Sequence, residues 1–301
     1  MRVLVTGASG FIGQALVAAL VRAGHGVVCA SRHPRPAGNG APACESLPVD
    51  FARIPAVEWW VPRLAGIDAV VNMVGILRQQ AGQTFQALHA QAPSELFRAC
   101  ARVHVPLVVQ VSALGADGEA RSRYHLTKKA ADDVLRGLPL RSTIVQPSLV
   151  YGTGGASAAM FNAMAAMPLL VLPSGGAMHV QPVHLDDVVD GIMALLQSPP
   201  GGSATIAFVG PRPLTFREFL AQLRPQLGCP GPLRVVPLPE TLFRWSAAVA
   251  GHIPGSALDP ETAGMLLRGN VGDAAPFAAL LGRSPRPVSA FVARASRGQA
   301  D

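Results

Sequence analysis

MRVLVTGASGFIG, residues 1–13, is the stretch on which the fold turns. Residues 2–6 form a short apolar run rich in β-branched side chains, which reads as a strand. Glycines follow at 7, 10 and 13, and QALVAALVRAGH then continues with the period of a helix. Strand, glycine-rich turn and helix in that order make a phosphate cradle. Gly7 permits the tight turn, Gly10 lets the backbone approach a pyrophosphate, and Gly13 lets helix and strand pack closely. The helix N-terminus presents its N–H groups to the same phosphates. Ser9, Phe11 and Ile12 join the glycines as expected cofactor contacts.

The second strand, GVVCASR at 26–32, ends without the carboxylate that would hold the ribose hydroxyls of NAD. Ser31 and Arg32 stand there instead. An arginine suits a 2′-phosphate, so the expected cofactor is NADP(H) in preference to NAD(H). LPVDF (47–51) reads as the end of a third strand, with Asp50, and Phe51 beside it, set against the adenine amino group. IDAVVNMVGI (67–76) is a fourth strand closing in a small-residue turn, where Asn72, Val74 and Gly75 line the cofactor. A helix from near Thr84 runs through HAQAPSELFRACARVH. VPLVVQVSALGA (105–116) then brings Val111 and Ser112 to the carboxyl edge of the sheet, where open parallel sheets bind ligands. Repeated strand–helix units predict an α/β, Rossmann-type doubly wound parallel sheet.

SRYHLTKK, residues 122–129, holds one of two tyrosines and both lysines of the chain. Tyr124 and Lys128 are i and i+4, so a helix puts them on one face. A free phenol titrates at about 10 and is a poor acid–base at neutral pH. An adjacent ammonium and a positive nicotinamide favour the phenolate. Such a tyrosine passes a proton to or from a hydroxyl or carbonyl while hydride moves to or from the cofactor. Lys128 also reaches the nicotinamide ribose, whereas Lys129 points towards solvent.

After Tyr151 the character changes. MFNAMAAMPLLVLP (160–173) offers methionines and a proline-bounded apolar run, a candidate wall for a hydrophobic substrate and equally ordinary helix core. HLDDVVDGIMALL (184–196) reads as an amphipathic helix with Asp186 as its N-terminal cap. The expected division is a Rossmann core at 1–150, a first part of a smaller substrate lobe at 151–180, a return to the core at 181–210, and the remaining lobe with a tail at 211–301. Arg212 and Arg234 are the groups in that lobe suited to a diphosphate, and His179 and His184 read as structural. No acid pair, zinc cluster or serine–histidine constellation is present in it.

The chain of 301 residues is half hydrophobic and carries a formal charge of +7, with a mean hydropathy of +0.33, which excludes a disordered protein. The arginines are spread without a dense basic block, so nucleic acid is not an expected partner. Arg283, Arg286, Arg294 and Arg297 are the mildest concentration. Cys29, Cys44, Cys100 and Cys229 lack CxxC or metal-ligand spacing and read as ordinary thiols of a reducing compartment. Opening on an apolar strand, the chain is expected to lack a signal peptide and to be cytoplasmic, with peripheral association at the inner face of a membrane left open.

TGASGFIG, the Arg32 region, Ser112, YHLTK and QPSLVYG (146–152) together resemble the extended or atypical short-chain dehydrogenase/reductase superfamily. NMVGI, VSALGA, YHLTKKAAD, PVHLDDVVDGI and GNVGDAAPFAALLGRSPR resemble more narrowly the bacterial relatives of the NDUFA9 subunit of respiratory complex I, from Met1 to about Val288. The resemblance implies that Tyr124 and Lys128 are the catalytic pair and that Ser112 completes the set. In many extended members the active hydroxyl lies two places later, where this chain has Leu114. It also implies that Gln146, Pro147 and Ser148 flank the cofactor, and it puts His89 near the asparagine many relatives carry.

Three functions follow. One is an NADP-dependent oxidoreductase acting on a hydrophobic carbonyl, alcohol or quinone-related substrate. Another is a catalytically weak or inactive NADP(H)-binding protein with a structural or assembly role at a respiratory complex. The third is a nucleotide-sugar epimerase or dehydratase. Oligomeric state is open.

Overall fold

The computed structural model describes residues 1–32, 44–250 and 260–292. In chain order the elements begin β1 (Arg2–Thr6), α1 (Phe11–Arg22), β2 (Gly26–Ser31), β3 (Glu45–Pro48), α2 (Val57–Trp60) and β4 (Ala69–Asn72). A π-helical segment (Gln86–Gln91) then runs into α3 (Ala92–Arg102), followed by β5 (Leu107–Val111), α4 (Arg123–Arg136) and β6 (Ser142–Pro147). After these come β7 (Val150–Tyr151), α5 (Ala156–Ala166), β8 (Leu169–Pro173), β9 (His179–Val180), β10 (Val183–His184), α6 (Leu185–Gln197) and β11 (Ala204–Phe208). The last are β12 (Leu214–Thr215), α7 (Phe216–Leu223), β13 (Arg234–Leu238), α8 (Glu240–Ala250), α9 (Pro260–Arg268) and α10 (Ala275–Leu281). They divide into a larger unit, Met1–Pro147 with Val188–Phe208, and a smaller one, Ser148–Asp187 with Val209–Asp301.

In the larger unit seven strands lie in the order β11-β6-β5-β4-β1-β2-β3, every neighbouring pair parallel. β1, β4 and β5 are near-continuous apolar runs because a parallel sheet is covered on both faces. Leu4, Val28, Val70 and Val108 share one packed cluster with Trp60, Leu96, Phe97 and Leu135 of the helices. The alternate residues Val3, Val5, Val27, Val71 and Val109 are also buried, and by the two-residue period of a strand they point the other way. Truncating a fully buried side chain such as Phe97 to alanine costs about 3–5 kcal/mol. The strand order reverses between β1 and β4, which opens a crevice at the carboxyl ends of those two strands.

The expected unbroken helix from Thr84 is instead a π-helical turn followed by α3. Pro93 explains it. Its nitrogen has no hydrogen to give the carbonyl of His89, and its ring crowds that carbonyl, so the turn before it widens.

The smaller unit packs around Phe161, Phe216 and Phe219, with ring centroids 5.2–6.2 Å apart, and around Tyr151 stacked on Phe291 at 5.1 Å. Within MFNAMAAMPLLVLP, Phe161 and Leu170 belong to this core, whereas Met160, Met167, Leu169 and Val171 are exposed. α7 begins with a capping box, Thr215 and Glu218 each accepting the other's backbone N–H. Asp186 is not the cap expected for α6. The helix already includes it, and its N–H donates to His184 Nδ1 at 3.2 Å, so His184 fills the capping role. The Asp186 carboxylate binds Arg286 at 2.6 Å. Fully buried Asp187 binds Arg283 at 2.7 Å and accepts the Arg286 N–H at 2.7 Å. Two of the four tail arginines are thus structural, while Arg294 and Arg297 lie outside the described residues.

Candidate nucleotide and proton-transfer site

The turn after β1 admits no side chain at Gly7 or Gly13. Gly7 has φ +68° and a Cβ there would meet the Met73 carbonyl oxygen at 2.7 Å, while a Cβ on Gly13 would overlap the Gly7 carbonyl. The Gly7 N–H donates to Ala30 O at 3.2 Å and the Gly10 N–H to Gly7 O at 2.9 Å, which holds the turn closed. Gly10 stands at the N-cap of α1 with no side-chain cap, and the first turn has no acid. The positive end of the helix is therefore uncompensated, as an anion site requires.

Beside this turn lies a cavity of about 300 Å³. Of the expected contacts it is lined by Gly7, Ser9, Gly10, Ser31, Arg32, Asp50, Phe51, Val74 and Gly75. Ala30, Met73, Ile76, Gln83 and Leu88 complete the wall and escaped the sequence reading, since their apolar or neutral side chains carry no motif. Phe11 and Ile12 are not in that wall; they begin α1. The Asp50 carboxylate accepts the Ala52 N–H at 3.0 Å, which fixes the loop after β3. Backbone N–H groups at a helix start, a hydroxyl at Ser31 and a carboxylate at Asp50 fit the adenosine diphosphate half of a dinucleotide.

α4 carries the second half of the site. Ser122 caps it by accepting the His125 N–H at 3.1 Å. Tyr124, Lys128 and Asp132 follow at four-residue steps on one face. Lys128 is buried, and its ammonium donates to Val74 O at 3.2 Å and Val111 O at 3.1 Å, tying α4 to the ends of β4 and β5. A Cβ on Gly75 would lie 3.1 Å from Lys128 Nζ, so this glycine leaves room for the lysine. Burial pulls Lys128 down to about 8, partly offset by the Asp132 charge. Burial pushes Asp132 up to about 6, against the Ser112 hydrogen bond and the Lys128 charge.

Asp132 had no place in the sequence reading, and it redirects two residues that did. Ser112 Oγ donates to Asp132 Oδ2 at 2.5 Å, within the protein. Gln110 Nε2 donates to Asp132 Oδ1 at 3.4 Å, Asn72 Nδ2 to Gln110 Oε1 at 2.6 Å, and Thr6 Oγ1 to Asn72 Oδ1 at 2.5 Å. This chain runs from β1 across β4 and β5 to α4, and every member is buried. Asn72, expected among the cofactor contacts, spends both ends of its amide here. Ser112, expected to orient a substrate, spends its hydroxyl on a carboxylate.

Tyr124 sits on the same face, one turn before Lys128. The ring is half-buried among Phe85, His89 and His125, with centroids 5.9, 5.2 and 5.3 Å away. Burial pushes its phenol up to about 12. His89, on the π-helical turn, accepts the Ile76 N–H at Nε2 (3.0 Å) and faces Thr127 Oγ1 with Nδ1 (3.3 Å). Burial first, and the Lys128 charge second, take it down to about 2, so it is a neutral ring.

Gln146 donates to Ala116 O at 3.3 Å and Pro147 O accepts the Leu114 N–H at 3.0 Å, both inside the larger unit. In the smaller unit the Ser148 hydroxyl is spent on Gln181 O at 2.5 Å. Arg212 and Arg234 are exposed there. Among the described residues no cluster of metal-ligating side chains occurs, and no helix is long and apolar enough to cross a membrane.

The chain belongs to the NAD dependent epimerase/dehydratase family, whose model matches residues 3–209. It is 24% identical over 228 residues to the mitochondrial NADH-ubiquinone oxidoreductase 40 kDa subunit of Neurospora crassa, covering 71% of this chain and 57% of that protein. With the ceramide reductase of Caulobacter vibrioides it shares 26% over 224 residues, 72% of this chain and 68% of that one. The chain thus spans under two thirds of the Neurospora relative. Among solved structures, MoeE5 in complex with UDP-glucose and NAD matches with a TM-score of 0.70 and 20% identity over 97% of both chains. A Bacillus cereus UDP-glucuronic acid 4-epimerase in complex with UDP-glucuronic acid and NAD matches with a TM-score of 0.69 and 18% identity over 97% of this chain and 96% of that one. These likenesses show the fold.

They also overturn the expected preference for NADP(H), since the structurally similar proteins hold NAD. Arg32 is an exposed cation at the end of β2 in an arginine-rich chain, and the adjoining Ser31 on the cavity wall offers a hydroxyl that suits unphosphorylated ribose.

Proposed function

We propose that this member of the NAD dependent epimerase/dehydratase family holds NAD(H) in its larger unit, turns it over weakly, and serves as a component of a larger protein assembly. One contrast carries the reading: the glycine turn is built for a nucleotide, while Ser112 is diverted to Asp132 and the Tyr124 phenol is pushed up to about 12. NAD(H), when bound, supplies or accepts a hydride. The backbone from Gly7 to Gly10 and the start of α1 would hold its pyrophosphate, Ser31 a ribose hydroxyl and Asp50 the adenine amino group. An ammonium has three donors; with two given to Val74 and Val111, Lys128 keeps one for the nicotinamide ribose.

The assembly role is supported by the Neurospora relative, named as a subunit of NADH-ubiquinone oxidoreductase. The smaller unit adds large apolar side chains left exposed: Leu169, Val171 and Val236 on the β8–β13 ribbon, and Leu242, Trp245 and Val249 on one stripe of α8. Trp245 is 73% exposed. Surfaces of this kind mark contacts with other proteins.

A second reading is reduction of a hydrophobic carbonyl, favoured by Tyr124 staying one turn from Lys128 and by the ceramide reductase relative. A phenol that keeps its proton is fit to give one to a carbonyl oxygen and unfit to take one from a hydroxyl. Epimerisation needs both steps, so the phenol weighs against it.

The test is mass spectrometry of the ligand released from freshly purified protein, then titration with NADH and assay with carbonyl substrates and UDP-sugars. Retained NAD(H) with turnover near background is the expected result. Fast turnover abolished by Tyr124→Phe would replace it with the enzyme reading, and no binding of NAD(H) would end both.

A further inference from the structure

Cys29 lies on β2, and Cys44 is the residue before β3, the edge strand of the sheet. The two strands run parallel with Val28 opposite Glu45 and Cys29 opposite Ser46. Side chains alternate along a strand, so residue 44 points to the same face as Ser46 and therefore as Cys29. Cys44 is thus the diagonal neighbour of Cys29, and each thiol stands near enough to bear on the other's proton. Both are partly exposed, whereas Cys100 is buried and Cys229 belongs to the other unit. Diagonal neighbours lie near the upper limit of a disulfide's span, and Cys44 stands just outside β3, before the first paired residue Glu45, where the chain can close the remaining distance.

We propose that Cys29 and Cys44 are a redox-active dithiol, closed by a small-molecule disulfide such as oxidised glutathione into a bridge that ties the edge strand to β2 beside the nucleotide cavity. The Cys44 thiolate attacks one sulfur of the oxidant, the oxidant's S–S bond breaks, and one glutathione thiolate leaves. Cys29 gives its proton to solvent and attacks the Cys44 sulfur of the mixed disulfide, and the second glutathione thiolate leaves. In sum the protein loses two protons and two electrons, and the oxidant becomes two thiols. The order follows from the surroundings. Burial first, then the neighbouring Cys44, hold the Cys29 thiol well above its usual range, so Cys29 keeps its proton while Cys44 starts the exchange. The closed ring of chain contains Ser31 and Arg32, which stand on the cavity wall. Nothing in this step depends on the proposed turnover.

The full-length protein is equilibrated in mixtures of reduced and oxidised glutathione, acid-quenched, and read by intact mass and peptide mapping. The expected result is loss of two hydrogens, one cross-linked peptide pair joining Cys29 to Cys44, and reversal by excess reduced glutathione. Cys29→Ser should trap a glutathione adduct on Cys44, and Cys44→Ser should leave Cys29 unmodified under the same mixtures. Glutathione adducts alone on the unaltered protein, a bridge through Cys229, or no mass change at any ratio would each overturn the proposal.

Discussion

At the β1–α1 turn, Gly7 and Gly13 are required by backbone that would collide with a side chain, and the space they leave faces an uncapped helix start. On α4 the polar groups are just as ordered, but their hydrogen bonds run inward: Lys128 to two strand carbonyls and Ser112 to Asp132. The first region is shaped around something not made of protein. The second is shaped largely around itself. On the proposed reading, a fold that retains one and internalises the other keeps the means to hold a dinucleotide and turns it over weakly, because proton transfer needs free, correctly poised groups.

The sharpest way to break this comparison is Asp132→Ala. It leaves the buried Ser112 and Gln110 donors without their acceptor and removes the charge that offsets the burial of Lys128, so unfolding in urea should show a loss of about 3 kcal/mol. A loss under about 1 kcal/mol would mean the inward network is incidental. Gly13→Ala comes next. Its methyl group meets the Gly7 carbonyl, and the shift it forces should weaken NADH binding by about 100-fold, some 2–3 kcal/mol of strain, in a fluorescence titration. Tyr124→Phe should leave that affinity within about twofold if Tyr124 holds no cofactor energy.

His89 sharpens the pH side. Its folded pKa of about 2 lies below the unfolded value, so the unfolded chain binds the extra proton between those two values. The stability tied to neutral His89 is therefore complete above about 6.5 and is lost as pH falls below it. Asp132 acts oppositely: its folded value of about 6 is above the unfolded one, so its contribution grows as pH falls from about 6 towards 4. His89→Gln should expose that opposite slope, making the protein relatively more stable at acid pH in melts run across the range. The smallest effect belongs to Ser112→Ala, which should cost about 1 kcal/mol and leave any residual turnover unchanged. A large drop in rate with stability intact would return Ser112 to the catalytic role.

The parts of this arrangement legible in the sequence are those made by neighbours along the chain. GASGFIG announces its own turn, and Tyr124 with Lys128 needs only a helix to share a face. Asp132 also sits on that face, yet its meaning depends on Ser112 arriving from β5, a meeting that only the folded sheet creates. The π-helical turn has a visible cause in Pro93, but the apolar period continues through it and reads as plain helix. His184 took the cap assigned to Asp186 because an imidazole nitrogen accepts an N–H as well as a carboxylate does. Arg32 misled for the opposite reason. An exposed charge at a strand end looks the same in sequence whether or not it meets a phosphate.

Weak turnover, as proposed, rests on a Tyr124 phenol that keeps its proton. With only two tyrosines in the chain, a Tyr151→Phe background leaves Tyr124 as the sole phenol. Its ionisation can then be followed by ultraviolet difference absorbance in the cofactor-free protein. No phenolate should form below about pH 10, with a midpoint near 12. A midpoint near neutrality would contradict it and make Tyr124 an active base.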